Sequence, residues 1–464
     1  MLEFVRPILE IRVDVRRDVK LWAPAKERLL NPFGRHPVAY ARLRSLFSRH
    51  PLPPGDYAAL DSLEKADRDA LRKRSDALGP VFKGIAWGKL CVCIVGLDHC
   101  GRFTQAHRAS LRVQTMELDH LIPKGFICAM EGDEHREIRK TTQRSLRATP
   151  VGSSDPHATD PVIEAIVAGG LRDYALGAAE HANSANAFSA AMSVTSTAML
   201  TWMFFGAEPG TATHQRFVAR FHELGPYGLV WNPQKRQEIA FKAFLDDLRS
   251  EVAAMQAGAG GLSRAGLLGR MVEGGKVDDT LLGNLIYQAE MARSDMKNFF
   301  RWLTRHASDD PAALERIRIE AVAGEGTQPL AEAFVQETLR TDQSERLMRR
   351  AERDIVFDGF LIPRHATVRL CLWESHHAES AFTDPHRFDP GRFETGMPGN
   401  DRFAPFGVDH HQCPYGGPVA RMGVIFVRAL ARGYRVQALT PGPPVRGGYH
   451  WEPAPRFAVE LKPI

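Results

Sequence analysis

The sequence predicts a mainly helical α+β protein with a long central helix and small β-sheets towards both ends. Residues 185–206 are apolar nearly all round, which is typical of a buried helix. Residues 281–305 form a second long helical candidate. Residues 81–96 and 345–372 have the composition and alternation of short strands. Many helices with a few small sheets make an α+β arrangement.

The predicted elements follow one another without a Pro/Ser linker, a repeat or a low-complexity block, so we expect 1–464 to form a single domain. In chain order they are an N-terminal extension with the first helices (1–80), the first strands (81–96), a mainly helical stretch (102 to about 310) containing the central helix (277–305), shorter helices (310–341), a hairpin with an Asp358-Gly359 turn (345–372), an irregular segment (380–412) and short strands from 433 onward.

Composition limits the class of protein. The net charge of +5 is small for 464 residues and does not favour a nucleic-acid partner. We expect no membrane span, and the first twenty residues lack the apolar core of a signal peptide, so a cytoplasmic location is expected. Six cysteines are too few for a disulfide scaffold. Cys91 and Cys93 are interpreted as buried strand residues rather than a metal pair, and the lack of Cys-x-x-Cys or His-x-x-x-His argues against a zinc protein.

The most informative feature is a cysteine that follows a loop rich in aromatic residues, Pro and Gly. The loop 404–416 contains Cys413, and an apolar, helix-like run follows from 419 to about 430. Backbone N–H groups in such a loop, together with the dipole of the following helix, stabilise a thiolate. This arrangement can hold a cysteine beneath a heme iron, the ligation that promotes O–O cleavage.

A second pattern lies upstream of this loop. Glu337 and Arg340 are three residues apart, so they share one helix face, and Arg392 follows within the irregular segment. A buried glutamate between two arginines would tie the helix to that segment through bidentate hydrogen bonds. Alone, a Glu-x-x-Arg pair is more often a solvated helix pair.

With these elements in this order, the chain resembles the cytochrome P450 family of heme-thiolate enzymes. Phe406, Gly407, His411 and Cys413 match the family's cysteine loop, while Glu337, Arg340 and Arg392 match its structural triad. The resemblance runs from about residue 80 to the C-terminus. It implies a cytochrome P450-type fold, with 277–305 as the distal helix over the heme and 404–416 as the cysteine-ligand loop. It also implies heme b (iron-protoporphyrin IX), with Cys413 as the metal ligand.

The resemblance further implies a set of residues for the heme carboxylates. His135 and Arg139 match the family's His-x-x-x-Arg helix and lie four residues apart, on one helix face. Arg349 corresponds to another carboxylate-binding arginine, although Arg350 leaves that register open by one residue. His411 is the remaining donor, and its neighbour His410 competes for the role.

The central helix departs from the family pattern of Ala-Gly-x-(Asp/Glu)-Thr. Alignment on Asn298 and Trp302 puts Ser294 at the acid position and Asp295 at the Thr position, and Arg293 precedes them. A register slip of one residue would put Arg293 at the acid position. The acid–alcohol pair that delivers protons to dioxygen is therefore absent, or its two members have exchanged places.

Three interpretations of this helix remain open. Asp295 and Ser294 relay protons in an oxygen-activating monooxygenase. Alternatively, the relay is lost, peroxide is the oxidant, and Arg293 binds a substrate carboxylate. In the third, the heme rearranges or couples substrate without external oxygen activation. Arg293 and Asp295 would have no such role if they faced outward or paired with neighbours.

The cysteine loop also departs from the family pattern. Asp409 stands where the family has Gly, and Tyr415 stands at the Gly position two residues after the cysteine. Gly416 and Gly417 follow Tyr415, and Ala420 and Arg421 come one residue later than in the family. One inserted residue between Cys413 and the next helix accounts for these differences. The Asp409 carboxylate would either increase electron donation from the thiolate or face solvent.

We therefore expect a monooxygenase that hydroxylates or oxidatively couples a small organic, secondary-metabolite-like substrate, admitted near the segment 207–258. Because no flavin or iron–sulfur motif is present, the resemblance implies external electrons from a ferredoxin and a ferredoxin reductase. Arg421, Arg428 and Arg432 suit an acidic ferredoxin or are ordinary solvated charges. The protein is expected to be a monomer. The alternatives are a peroxide-using or oxygen-independent heme-thiolate enzyme, and a non-catalytic heme protein that recruits a partner or senses a gas.

Overall fold

The structure is a computed structural model. It describes residues 37–114, 120–122, 124–155, 158–177, 186–225, 234–275, 277–323, 329–342, 346–447 and 451–464. Two sets of expectations fall partly outside these ranges. They concern residues 1–36 of the predicted N-terminal extension and residues 226–233 of the predicted substrate entrance.

Helices make up most of the described chain. In order they are α1 (Pro37–Leu46), α2 (Leu60–Ala66), α3 (Ala70–Leu78), α4 (Leu97–His107), α5 (Gly132–Arg147), α6 (Pro161–Leu176), α7 (Ala187–Phe205), α8 (Ala212–Leu224), α9 (Lys235–Gln256), α10 (Leu267–Glu273), α11 (Asp279–Asp309), α12 (Pro311–Ala323), α13 (Pro329–Thr341), α14 (Leu372–His376), α15 (Gly391–Glu394) and α16 (Gly416–Gly433).

The strands are short and lie towards the two ends of the chain. They are β1 (Val81–Ala86), β2 (Lys89–Val95), β3 (Leu111–Val113), β4 (Arg346–Ala351), β5 (Ile355–Phe357), β6 (Phe360–Ile362), β7 (Thr367–Cys371), β8 (Tyr434–Thr440), β9 (Pro444–Arg446), β10 (Trp451–Pro453) and β11 (Ala458–Pro463). Together with the helices they confirm the predicted mainly helical α+β class.

The main sheet joins the two ends of the described chain. Its strand order is β1-β2-β7-β4-β3, with β2 and β7 parallel and the other neighbours antiparallel. The hairpin β1–β2 closes through Trp87 and Gly88, both with positive φ, and β5–β6 closes the same way through Asp358 and Gly359. Two central residues with positive φ are the requirement of a tight type I′ hairpin turn. The second turn lies where the Asp-Gly signal predicts it.

The helix α11 runs through the core and organises the helices around it. It packs against α7, α9, α13 and α16. The Phe300 ring stacks on Phe426 of α16 with centroids 4.4 Å apart, and a side chain at Gly423 would meet Phe299 at 2.7 Å. Glycine at 423 therefore permits the close approach of α16 to α11.

The bounds of α11 differ slightly from the predicted 277–305. Asp278 caps the helix, since its side chain accepts a hydrogen bond from the Leu281 N–H at 2.9 Å, and the helix continues to Asp309. A capping carboxylate satisfies a backbone donor that the first turn leaves without a helical partner. The cap therefore sets the start of the helix two residues later than predicted.

The helix α7 meets the length and composition of a membrane span, contrary to the expectation that no apolar run does so. It is the one such helix among the described residues, and 67% of its apolar window is buried inside the protein. Phe188 and Phe204 have no exposed surface. A core helix that is apolar all round passes the same test, so α7 is weak support for a membrane span.

Candidate active site

The cysteine loop is an ordered turn that presents Cys413 just before α16. The Cys413 N–H donates to the Phe406 carbonyl at 2.8 Å, and the Gln412 N–H donates to the Asp409 carbonyl at 2.9 Å. Cys413 is exposed and lines a hollow of about 650 Å³ beside the loop. Cys413 therefore has a backbone fixed by hydrogen bonds and an accessible side chain. Helix α16 begins at Gly416, three residues before the predicted start of the apolar run.

Glycine at 407 is required by the backbone of this loop. Its φ of +107° lies outside the range that side-chain-bearing residues favour, and a Cβ there would lie 3.2 Å from the Gln412 Cα. We expect Gly407→Ala to cost about 1–3 kcal/mol through backbone strain and to lower heme content. Denaturant unfolding and the heme-to-protein absorbance ratio of the purified variant measure the two effects.

Gly417→Ala is the matched control, because Gly417 has no positive φ and a Cβ there meets nothing within 4 Å. This variant should match the wild type. If Gly407→Ala and Gly417→Ala behaved alike, the backbone of the loop would not need the positive φ at residue 407.

Arg139 of α5 lies beside the cysteine. Its Nη1 donates to the Gln412 carbonyl at 2.7 Å. Burial lowers the pKa of Arg139, while the neighbouring Cys413 raises it, so the two side chains sense each other. A guanidinium near a thiol favours the thiolate, which is the form that binds a metal. Arg139 thus supports Cys413 directly, in addition to its predicted role at the heme carboxylates.

The predicted histidine donors form one cluster. The His135 ring, 2% exposed as a residue, packs on His411 with centroids 4.4 Å apart and on His410 at 5.5 Å. His410 and His411 bond to the Glu131 carboxylate through their Nε2 atoms, at 3.0 and 3.1 Å. Burial lowers the pKa of His411 to about 4, although its hydrogen bond to Glu131 opposes the shift. His411 is therefore neutral at pH 7.

The structure settles which of two neighbouring arginines turns inward. Arg349 is buried and binds Asp409 through Nε at 3.0 Å and Nη2 at 2.5 Å, whereas Arg350 pairs with Glu352 in a more exposed position. Burial alone would raise the pKa of Asp409, but the Arg349 guanidinium holds it below its ordinary value. The expectation of a solvent-facing Asp409 carboxylate is wrong, because Arg349 binds it in a buried position. An effect of its charge on the thiolate stays a prediction.

Glu337, Arg340 and Arg392 come together as the sequence pattern predicts. Arg340 makes two hydrogen bonds to Glu337, at 2.6 and 2.7 Å, with both side chains fully buried. The Arg392 Nε lies 3.4 Å from the Glu337 Oε1, which also accepts the Asp389 N–H at 2.8 Å. This triad ties α13 to the irregular segment that leads into the cysteine loop.

Tyr415 connects the cysteine loop to the central helix. Its hydroxyl donates to the Gln288 Oε1 of α11 at 2.6 Å, and burial raises its pKa. Asp295 lies seven residues after Gln288, so the two share one face of α11, about 10 Å apart along the axis. Asp295 therefore belongs to the face of α11 that the cysteine loop touches. Ser294 is buried next to it.

Arg293 points elsewhere. It forms an ion pair with the buried Glu290 at 3.0 Å, donates to the Gly225 carbonyl at 3.1 Å, and stacks over the Phe221 ring of α8 at 4.8 Å. This is the alternative in which Arg293 pairs with its neighbours. For Arg293 to bind a substrate carboxylate, its ion pair with Glu290 would have to break.

Sequence reasoning missed several residues of this site. Lys297 on α11 has a lowered pKa, chiefly from burial, with Glu452 and Asp295 opposing the shift from close by. Glu131 and Gln288 were also missed. No local signal marks these residues, because their partners lie far away along the chain.

The three arginines expected near the cysteine-side helix, Arg421, Arg428 and Arg432, differ from one another in their surroundings. Arg421 donates to the carbonyls of Pro150 and Asp155, so it joins α16 to the chain before α6. Arg428 is half-buried and Arg432 is exposed. A row of exposed basic residues on α5 was missed, although its spacing is visible in the sequence: Arg136, Lys140, Arg144 and Arg147. This spacing puts them on one helix face.

The residues around Cys413 fit heme b. The cysteine side chain is exposed beside a guanidinium, as a thiolate ligand requires. His135 is buried as a residue, and its ring makes no hydrogen bond among those shown for the described part of the chain. Its N–H can therefore donate to a heme carboxylate. His135, Arg139 and His411 would hold the carboxylates, and Cys413 would hold the iron.

Comparison with known proteins gives consistent matches. A family model described as Cytochrome P450 matches residues 326–439. Abscisic acid 8'-hydroxylase 2 of Oryza sativa subsp. indica is 24% identical over 418 residues, 83% of this chain and 79% of that protein. Cytochrome P450 88A1 of Zea mays is 26% identical over 373 residues, 73% of this chain and 69% of that protein. Retinoic acid-bound cyanobacterial CYP120A1 superposes with a TM-score of 0.69 at 19% identity, covering 90% of this chain and 100% of that chain.

The fold and the Cys413 loop define a heme-thiolate enzyme. The matched family model, the curated relatives and the shared fold all support a cytochrome P450, a family of monooxygenases whose cofactor is heme b.

Proposed function

We propose that this cytochrome P450 hydroxylates a small, largely apolar organic molecule of the secondary-metabolite type, with dioxygen as oxidant and electrons from separate proteins. The observation that carries the proposal is the position of Asp295. It lies on the α11 face that the cysteine loop touches through Tyr415, so a titratable group remains on that face despite the altered sequence.

Heme b held by Cys413 supplies reductive activation of dioxygen, in which one oxygen atom enters a substrate C–H bond and the other leaves as water, at the cost of two electrons and two protons. The protein has to fix the cysteine, hold the cofactor's carboxylates and deliver protons. The first task falls to the loop hydrogen bond from Cys413 to Phe406, and the second to His135, Arg139 and His411.

Asp295 is the residue we assign to proton delivery. Lys297, two residues further along α11, has a pKa that burial lowers, and the Asp295 charge opposes this shift. A carboxyl group in such a setting transfers a proton through a hydrogen-bonded water or directly, which is general acid catalysis. Ser294, buried beside it, is a hydroxyl that can pass the proton on.

The electron donor would dock on α5. The exposed basic row, Arg136, Lys140, Arg144 and Arg147, lies on the helix whose other side chains, Arg139 and Gln143, line the hollow at Cys413. A positive surface beside the cysteine suits an acidic partner such as a ferredoxin, because complementary charge accelerates association. A ferredoxin reductase would supply electrons to that ferredoxin.

The substrate class is proposed from the relatives. The named relatives include hydroxylases of abscisic acid, and the solved neighbour binds retinoic acid. Both ligands are small, mainly apolar molecules with an acid group. Helix α8 borders α11 through the Arg293–Phe221 contact and lies in the segment 207–258, where the substrate is expected to enter.

Asp295→Asn tests the proposed oxygen activation. We expect turnover with NADPH, ferredoxin and reductase to fall by about 10²–10⁴-fold, the usual contribution of a general acid. Turnover with hydrogen peroxide should change little, because peroxide already carries the electrons and protons. Product formation under the two conditions is the measurement, with abscisic and retinoic acids among the first candidate substrates.

Asp309→Asn, at the exposed end of the same helix, is the control and should match the wild type. Normal NADPH-supported turnover in Asp295→Asn would remove Asp295 from proton delivery. A wild-type enzyme that worked only with peroxide would contradict the proposed oxidant.

A further inference from the structure

We propose that Glu131, His410 and His411 form a binding site for a divalent transition-metal ion, with zinc as the best match, between the start of α5 and the cysteine loop. The site does not use the iron ligand Cys413, but it shares His411 with the heme site: the His411 Nε2 would bind the ion, which leaves Nδ1 to donate to a heme carboxylate.

The three side chains lie close enough together to share one metal ion. The Glu131 carboxylate oxygens lie 3.0 Å from the His410 Nε2 and 3.1 Å from the His411 Nε2. The three ligand atoms all lie within 4.8 Å of one another. Zinc binds nitrogen and oxygen ligands at about 2.0–2.2 Å, so two ligands of one tetrahedral ion are roughly 3–3.5 Å apart. The two distances from Glu131 to the histidine nitrogens fall in that range. Small rotations of the three side chains would admit the ion.

The position of Glu131 is a second sign of a ligand role. Glu131 is the N-cap residue of α5, but its side chain makes no capping hydrogen bond to the helix. A carboxylate at this position ordinarily accepts a backbone N–H of the first turn. Here it turns to the two imidazoles instead. The carboxylate is thus aimed at the histidines.

The surroundings hold the two histidines in place. Their rings lie 4.2 Å apart, and the buried His135 ring packs against both. The His411 N–H donates to the Asp409 Oδ1 at 2.9 Å, which fixes the backbone at that point. Supporting contacts of this kind orient metal ligands and raise their affinity.

The chemistry of the donor set selects the type of ion. Two imidazoles and one carboxylate suit zinc and similar borderline metals, whereas magnesium and calcium prefer oxygen ligands throughout. Glu131 and His410 are about one-fifth exposed, so an ion can enter and a water can fill the fourth position. The bound ion would join α5 to the cysteine loop as a clip, and binding to the folded state alone would raise thermal stability.

Zinc titration of the chelator-treated, heme-loaded protein tests the proposal. In this form Cys413 is occupied by iron and does not compete for zinc. We expect equilibrium dialysis with elemental analysis to show one zinc per chain. X-ray absorption at the zinc edge should show imidazole and oxygen ligands, and zinc should raise the unfolding temperature. Glu131→Gln and His410→Asn should each weaken zinc binding by at least about tenfold, the lower range for loss of even a supporting contact.

His120→Asn is the matched control. His120 also pairs with a glutamate, Glu238, at 3.1 Å, but among the described residues that pair belongs to no three-donor group. It should leave zinc binding unchanged. The proposal is overturned if the wild type binds no stoichiometric zinc, if Glu131→Gln binds it equally well, or if the absorption spectrum shows a sulfur ligand. The heme spectrum of each variant confirms that it is folded.

Discussion

Cys413→Ala is expected to abolish both the thiolate-type ferrous–CO spectrum and all oxygen-dependent turnover. An alanine offers no ligand to the iron. Cys413 is exposed just before α16, and the loop 404–416 contains no second cysteine to replace it. The thiolate is also the electron donor that favours O–O cleavage, so a heme retained without it would not perform this reaction. The ferrous–CO difference spectrum of the purified variant is the direct measurement.

Cys128→Ser is a suitable control for this change. Cys128 is half-buried, and its thiol lies 3.0 Å from the Tyr287 hydroxyl, an interaction that a serine can reproduce. We expect this variant to keep the thiolate-type spectrum. Retention of that spectrum in Cys413→Ala would show that another residue binds the iron.

The second large effect is expected for Glu337→Ala. The carboxylate is fully buried between Arg340 and Arg392, and its removal would leave the Arg340 guanidinium buried without its charge partner. Breaking a buried ion pair in this way typically costs about 3–5 kcal/mol. Whole domains are stable by only about 5–15 kcal/mol, so we expect poor folding and little bound heme. Soluble yield, denaturant midpoint and heme content are the measurements.

Glu315→Ala provides the comparison, because Glu315 and Arg318 form a pair of the same spacing on an exposed helix face. Exposed pairs contribute little to stability, so this variant should unfold like the wild type. Similar losses in the two variants would mean that the Glu337 triad is no more than a surface pair. A normal denaturant midpoint in Glu337→Ala would contradict its role as a buried tie.

Local sequence signals were sufficient for much of the fold. The Asp358-Gly359 turn, the apolar segment that became α7 and the strand pair at 81–96 all depend on residues that are neighbours in the chain. Helix ends were less predictable, since the start of α11 depends on the Asp278 side chain and not on the apolar pattern.

The parts of the site that were missed depend on distant partners. Glu131 meets His411 across 280 residues, Gln288 meets Tyr415 across 127, and Arg349 meets Asp409 across 60. A single sequence carries no record of such pairs, because each residue alone is an ordinary polar side chain. The solvent-facing alternative for Asp409 was wrong for this reason, because the arginine that binds its carboxylate lies 60 residues away along the chain.

Helix α5 faces two ways, and this has a consequence for electron transfer. Its exposed face carries Lys140 and Arg144, while Arg139 on its inner side holds the carbonyl next to Cys413. If an electron donor docks on the outer face as proposed, any shift of α5 would reach the Gln412–Cys413 peptide through the Arg139 hydrogen bond. Donor binding and the environment of the iron ligand would then be coupled through one side chain.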